Sequence, residues 1–329
     1  MASEVVRDQS DLASITASGM TARVGIDHKA IHRRRRFRRN VPLMVMFAPV
    51  LIWLILFKYV PMLGISLAFK DFRLALGVFD SPWVGLQNFQ LLFTSPLLMG
   101  IVRNTLFLSI ASIAAGFSFP ILLAVMLNEV RQMGFKRTMQ TVFYLPHFLN
   151  WVIIGGIVIS VFSIENGPIN NFLVALGFEP FPFMYRPTSW ITIFVGSGIW
   201  KGVGFGSIIY LAAMGTIDNQ LYDAAEIDGA GKLGQIWHVT LPGIRPTIII
   251  LLILSMNNVM EVGFDQVFML QNAIVRPVSE VISTFSYRMA ISGQNYSITT
   301  ALGLMESTIG LVLVLATNQF AKRFDSSLW

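Results

Sequence analysis

Six long apolar stretches, near residues 42–69, 101–128, 138–162, 189–213, 243–267 and 300–321, alternate with polar segments along the chain. Each meets the roughly 20 residues a helix needs to cross a bilayer. The pattern predicts an all-α integral membrane protein with six transmembrane helices. Pro49, Pro120, the Gly155-Gly156 pair and the Gly202/Gly204/Gly206 cluster interrupt these runs. Such residues are tolerated where neighbouring helices satisfy the backbone. Gly202 and Gly206 have the spacing that lets two helices approach closely. No strand-like segment precedes them and the sequence holds no GxxxxGK[ST] run, so packing rather than a phosphate loop is expected.

Basic residues set the direction of the spans. They crowd into Arg33–Arg39, then Arg131, Lys136 and Arg137, then Lys232 and Arg245, then Lys322 and Arg323. With six spans these four places share one side, which the positive-inside rule assigns to the cytoplasm together with both termini. The other side holds Lys70, Arg73, Arg103, Arg186, Arg276 and Arg288. The loops 70–100, 163–188 and 268–299 then face outward. Residues 1–40 read as a cytoplasmic tail ending in a basic anchor, and 41–329 as the transmembrane domain. Residues 1–30 lack the apolar stretch of a signal peptide.

Composition narrows the function. Charged residues make up 13% of the 329 residues and hydrophobic ones 54%, against about 25% charged in a soluble domain. The net charge of +6 sits beside the spans, so it reads as topology control and contact with membrane lipid rather than nucleic-acid binding. The chain has no cysteine, which excludes thiol chemistry and disulfides. Of the four histidines only His28 and His32 lie near each other in sequence, beside a run of arginines, and no metal site is expected. No nucleophile–base motif appears, and the chain is expected to be non-catalytic. No strong inverted repeat relates the halves, which counts against a self-contained secondary transporter.

The segment 216–242 stands apart. It is charged and punctuated by glycine between two apolar runs. Asp218 is a plausible N-cap for a helix over 219–229. Gly229 and Gly231 break that helix, and a second short helix over 232–239 leads to Pro242, where the next span is expected to begin. Ala224, Ala225 and Gly229 leave a low surface that suits docking into a groove. An amphipathic helix resting on lipid would favour basic residues, whereas Asp223, Glu226 and Asp228 would be repelled by anionic lipid.

These residues carry a resemblance. Asp223-Ala224-Ala225, then Gly229, then Val239-Thr240-Leu241-Pro242 nine residues later is similar to the Glu-Ala-Ala loop of membrane subunits of bacterial ABC importers. Asp223 replaces the usual Glu and Val239 the usual Ile. "WVGLQNF", "PHFLNW", "NGPINNFL", "YLAAM" and "GFDQVFML" extend the likeness from the first span to the C-terminus. They resemble the carbohydrate branch, the maltose-type permeases, in the subgroup importing oligosaccharides and polysaccharides, alginate importers among them. The resemblance implies the type I importer permease fold in a bacterial cytoplasmic membrane. It implies a coupling role for Asp223, Ala224, Ala225, Glu226, Gly229, Leu241 and Pro242. It also implies a second homologous permease subunit, two cytoplasmic ATP-binding subunits that hold ATP and Mg, an extracytoplasmic solute-binding protein and a carbohydrate substrate. No cofactor is expected on this chain.

Polar residues within spans are costly and mark function by default. Asn258, Glu261 and Asp265 fall at i, i+3 and i+7, one face of a helical span five. Trp200 and Lys201 lie in span four, and His147, Asn150 and Trp151 at the start of span three. Hydrogen-bonding groups beside aromatic faces suit a sugar path through Asn150, Trp151, Trp200, Lys201, Asn258, Glu261 and Asp265. The plain alternatives are that the acids pair with Lys201 or with another subunit, and that His147 and Asn150 cap or brace the helix after Pro146. Two acids would repel a uronate chain, whereas Lys201 would attract one. A rival reading makes Glu261 and Asp265 a proton relay of an ion-coupled secondary transporter or channel. Another makes the chain a membrane enzyme acting on lipid or glycan. Neither has need of the coupling loop.

Overall fold

The computed structural model describes residues 28–256, 259–260, 262–292 and 295–322. They fall into two units, one ending at Leu63 and one beginning at Gly64. In chain order the principal helices are α1 (Asn40–Phe69), α2 (Pro96–Glu129), α3 (Met133–Phe148), α4 (Trp151–Val161), α5 (Pro187–Met214), α6 (Asn219–Ile227), α7 (Lys232–Met256), α8 (Phe264–Leu270), α9 (Ile282–Ile291) and α10 (Tyr296–Gln319). Among the described residues extended pairing is confined to one antiparallel bridge between Lys70 and Trp83. The all-helical class expected from the sequence is therefore observed.

Five helices, α1, α2, α5, α7 and α10, are long and apolar enough to cross a membrane. The third expected span is not straight. The α3 and α4 helices together pass the same test but are bent by 103°. Pro146 lies in the tightened last turn of α3, Leu145–Phe148, and Asn150 starts α4 afresh as its N-cap, its Oδ1 accepting from Ile153 N–H at 2.9 Å. In α1, Leu43, Met46, Phe47, Trp53 and Phe57 are all exposed in the isolated chain. A helix apolar all round belongs in lipid or against another subunit.

Span five departs most from expectation. Its helix begins at Lys232, ten residues before Pro242, and ends at Met256. Proline lacks an N–H and clashes with the preceding turn. The helix absorbs this by widening to a π turn over Ile236–Thr240, with Leu241 N–H donating to Ile236 O. The same device precedes Pro61 in α1, where Val60 N–H donates to Ile55 O. Asp265 lies beyond the end of α7, on the separate helix α8, which opens after Gly263. Asn258 and Glu261 lie outside the described residues. The expected single helical face through 258, 261 and 265 is thus corrected: 265 is on a different element.

Three clusters hold the second unit together. One joins Ile154 of α4, Trp190 and Phe194 of α5, and Val267 and Leu270 of α8. Trp190 Nε1 donates to Leu270 O at 2.8 Å. A second joins Leu98 and Ile101 of α2, Ile282 and Phe285 of α9, and Leu302 of α10. A third joins Ala124, Tyr210, Met214 and Ile244 beside the surface segment. Lipid tails are as apolar as these side chains, so close packing rather than escape from water drives such contacts. Gly204 shows how close. A Cβ there would lie 2.9 Å from Tyr144 N and closer still to the Phe143 carbonyl. A Cβ on Gly206 would lie 3.1 Å from Pro120 Cγ, whereas one on Gly202 would have nothing within 4 Å. The approach anticipated for Gly202 and Gly206 is made by Gly204 and Gly206 instead.

Candidate functional site

The segment 218–242 folds as a helix, a tight turn and the start of α7. Asp218 caps α6 by accepting from Gln220 N–H at 2.9 Å. The other end closes in a Schellman motif. Ala230 N–H donates to Ala225 O at 2.8 Å and Gly229 N–H to Glu226 O at 3.0 Å. Gly229 takes φ +83°, with nothing within 4 Å of an added Cβ. Backbone conformation, not crowding within the chain, is what demands glycine here.

Two contacts tie this segment to the membrane helices. The Tyr222 and Thr240 hydroxyls are 3.0 Å apart, joining α6 to the π turn of α7. Lys232 Nζ lies 3.3 Å from Glu129 Oε2, the last residue of α2. Asp223, Ala224, Glu226 and Asp228 are exposed and Ala225 half-buried. Large apolar side chains are exposed on the same segment: Ile227 is 86% exposed, and Leu221, Leu233 and Trp237 are exposed too. Leu241 is half-buried and Pro242 exposed within α7, just after its π turn. The result is a protruding surface with apolar anchors in an acidic rim.

A cavity of about 400 Å³ lies at the α3–α4 bend. His147, Trp151, Lys201 and Gln266 supply its polar and aromatic lining, and Pro120 and Gly206 part of its wall. Lys201 Nζ donates to the carbonyls of His147, at 2.9 Å, and of Leu149. It sits 5.7 Å from the Trp151 ring centroid. A broken helix leaves carbonyls without partners. Here an ammonium from the neighbouring helix satisfies two of them, and the adjacent indole face stabilises the charge. The His147 ring stacks on Phe205 with centroids 4.0 Å apart.

The structure brings Trp151 and Lys201 together, but not Trp200, Asn150 or Asp265; Asn258 and Glu261 lie outside the described residues. Trp200 lines a separate apolar cavity of about 620 Å³ with Ile157, Phe162 and Ile193. Asn150 is occupied as a cap. Asp265 is exposed in the first turn of α8, where the helix dipole favours an acid, and it does not pair with Lys201. Sequence reasoning passed over Gln266. That side chain is buried, donates to Phe194 O at 2.6 Å and lies 3.3 Å from Ser197 Oγ. An amide directly after an acid in an otherwise apolar run was the available signal. Two other asparagines from the quoted motifs act as clamps. Asn88 donates to the carbonyls of Ala68 and Lys70. Asn170 bonds Ser163 O and both backbone groups of Phe181.

Comparison with known proteins places this geometry. Residues 116–328 match the family described as binding-protein-dependent transport system inner membrane component. The polygalacturonan/rhamnogalacturonan transport system permease protein YteP of Bacillus subtilis is 42% identical over 282 residues, 86% of this chain and 88% of that protein. A bacterial ABC transporter involved in the import of the acidic polysaccharide alginate has a chain that is 38% identical. That chain superposes with a TM-score of 0.82 over 89% of this one and 99% of its own length. A bacterial alginate ABC transporter in complex with an alginate pentasaccharide-bound periplasmic protein has a chain matching at 37% identity and TM-score 0.81. The match covers 89% of this chain and 98% of that one.

Proposed function

The chain belongs to the family of binding-protein-dependent transport system inner membrane components, and we propose that it is the membrane subunit of an ATP-driven importer of oligo- or polysaccharide. It forms part of the translocation path and docks a separate ATPase through residues 218–242. The observation that carries the docking role is the exposure of Leu221 and Ile227 on α6 and of Leu233 and Trp237 on the first turns of α7, within an acidic rim, with α6 joined to α7 through Tyr222–Thr240 and α7 to α2 through Lys232–Glu129. Buried aromatic and aliphatic anchors carry most of the energy of protein interfaces, and anionic lipid would repel the rim. Movement of a docked ATPase reaches the spans through Glu129–Lys232 and Tyr222–Thr240. Asp223, Ala224, Ala225, Glu226 and Gly229 form the docking face, and Leu241 and Pro242, within α7, continue it towards the membrane-spanning part of that helix.

The saccharide assignment draws on the relatives named above, one for polygalacturonan and rhamnogalacturonan and one for alginate. In this reading the working complex contains a second permease subunit, two cytoplasmic ATP-binding subunits holding ATP and Mg, and an extracytoplasmic solute-binding protein. The chain itself is non-catalytic, with both termini in the cytoplasm. The Trp151–Lys201–Gln266 cavity is the part of the path assigned to this chain. The native chain has no cysteine, so Ile227→Cys gives a single reporter of docking. Its thiol should react quickly with a membrane-impermeant maleimide in inside-out vesicles of the membrane subunits alone. Co-assembled ATPase subunits should slow that reaction at least tenfold. Equal rates with and without the ATPase would exclude docking at this surface.

A further inference from the structure

Three arginines far apart in sequence line one cavity of about 660 Å³. Arg103 stands on the second turn of α2, Arg276 opens the short helix Arg276–Ser279, and Arg288 stands on α9. Between them is Glu280, whose side chain is only 7% exposed. Its carboxylate accepts from Thr284 Oγ1 at 3.0 Å, pairs with Arg288, and lies 3.8 Å from Arg276 Nε. Asn104 Nδ2 fixes the same loop by donating to Pro277 O at 2.8 Å and to Glu280 O at 3.3 Å. Among the described residues Arg103 pairs with no carboxylate, and it is exposed to the cavity.

The charges do not balance. Three guanidinium groups face one carboxylate, and that carboxylate is buried behind two of them. Arg276 and Arg288 remain 52% and 38% exposed, so N–H donors are left over for the cavity. Apolar walls of Leu97, Ile101, Phe285 and Met289 focus the resulting positive potential. Arginine forks match a carboxylate with two parallel hydrogen bonds. The volume lies within the range of about 300–1,000 Å³ usual for small-ligand pockets. Position matters as well. Arg103 and Glu129 are 26 residues apart on one helix, or about 39 Å at 1.5 Å per residue. That exceeds the hydrocarbon thickness of about 30 Å, so the cavity and the docking surface lie on opposite membrane faces.

We propose that this cavity is a carboxylate-binding subsite at the outer face, which receives the uronate groups of an acidic saccharide as it enters the path. Glu280 is a positioning residue that holds Arg288 and Arg276 in place. The proposal rests on the importer reading above and adds the charge class of the substrate and where that charge is read.

The test compares two pentasaccharides in proteoliposomes of zwitterionic lipid holding the full complex: oligogalacturonate and its methyl ester, which keeps the rings but loses the charge. Arg103→Gln should raise the acid-to-ester ratio of KM about fivefold, a modest effect because the site is partly hydrated. Arg103→Gln with Arg276→Gln should raise it about twentyfold, and Arg103→Lys should restore part of the loss. An unchanged ratio in the double variant overturns the subsite. So does a change that appears only when phosphatidylglycerol is added, which would assign the cavity to a lipid phosphate. Weaker docking of the empty solute-binding protein on Arg103→Gln would likewise overturn it, by assigning the arginines to that partner's surface. If the native complex imports the ester but not the acid, the importer reading stands and the carboxylate subsite falls. If it imports neither with ATP present, both fall.

Discussion

Replacing Gly204 by alanine should damage this protein, while the same change two residues earlier should not. At Gly204 the added methyl would lie 2.9 Å from Tyr144 N and nearer to the Phe143 carbonyl, all backbone atoms of α3. A side chain could swing aside, but a helix backbone can yield only if α3 and α5 separate. Overpacking of a well-packed contact costs about 1–3 kcal/mol, and contact with backbone places this case at about 3. Removing a mid-helix glycine returns about 0.5–1 kcal/mol in both variants. Gly204→Ala should therefore lose about 2 kcal/mol and Gly202→Ala, with nothing within 4 Å, should gain slightly. The two differ by about 3 kcal/mol. At about 2–4 °C per kcal/mol for a chain of this size, Gly204→Ala should lower the temperature at which the purified complex loses its monodisperse peak by about 4–8 °C. Equal midpoints for the two variants, or Gly202→Ala as the weaker one, would refute the assignment of the close approach.

Two further changes probe the site. Lys201→Met keeps the bulk but leaves the carbonyls of His147 and Leu149 without their ammonium, at a cost of about 2 kcal/mol; amide exchange at Ile153 and Ile154 should speed up about thirtyfold, and unchanged exchange would mean the bend stands without Lys201. Gly229→Leu strains a backbone at φ +83° by about 1–2 kcal/mol and should reduce saccharide-stimulated ATP hydrolysis, whereas Gly229→Asn, which tolerates that conformation, should keep most of it; equal loss in both would point to side-chain bulk at the docking face rather than backbone strain.

Much of the fold was legible because membrane helices announce themselves by length and apolarity. Asp218 and Gly229 were likewise readable, since capping chemistry is local. Features that depend on how helices meet were not. Pro242 reads as the start of a span, yet the helix passes through it by a π turn over Ile236–Thr240. Asn258, Glu261 and Asp265 looked like one face because the apolar run continues past Met256; Gly263 was the sign that it does not continue as one helix. Lys201 invited an acidic partner by charge counting, but its partners are carbonyls exposed by a bend 52 and 54 residues away in sequence. The arginine cavity was invisible for the same reason, since Arg103 and Arg288 read separately as outer-loop charges until α2 and α9 bring them together.

The central claim, an ATP-driven saccharide importer, is tested most directly by uptake. Proteoliposomes holding this chain with its partner permease, ATPase subunits and saccharide-loaded binding protein should accumulate labelled oligosaccharide when ATP and Mg are supplied on the ATPase side. They should accumulate none when ATP is replaced by a proton or sodium gradient. Gradient-driven accumulation without ATP would contradict the account and favour an ion-coupled transporter.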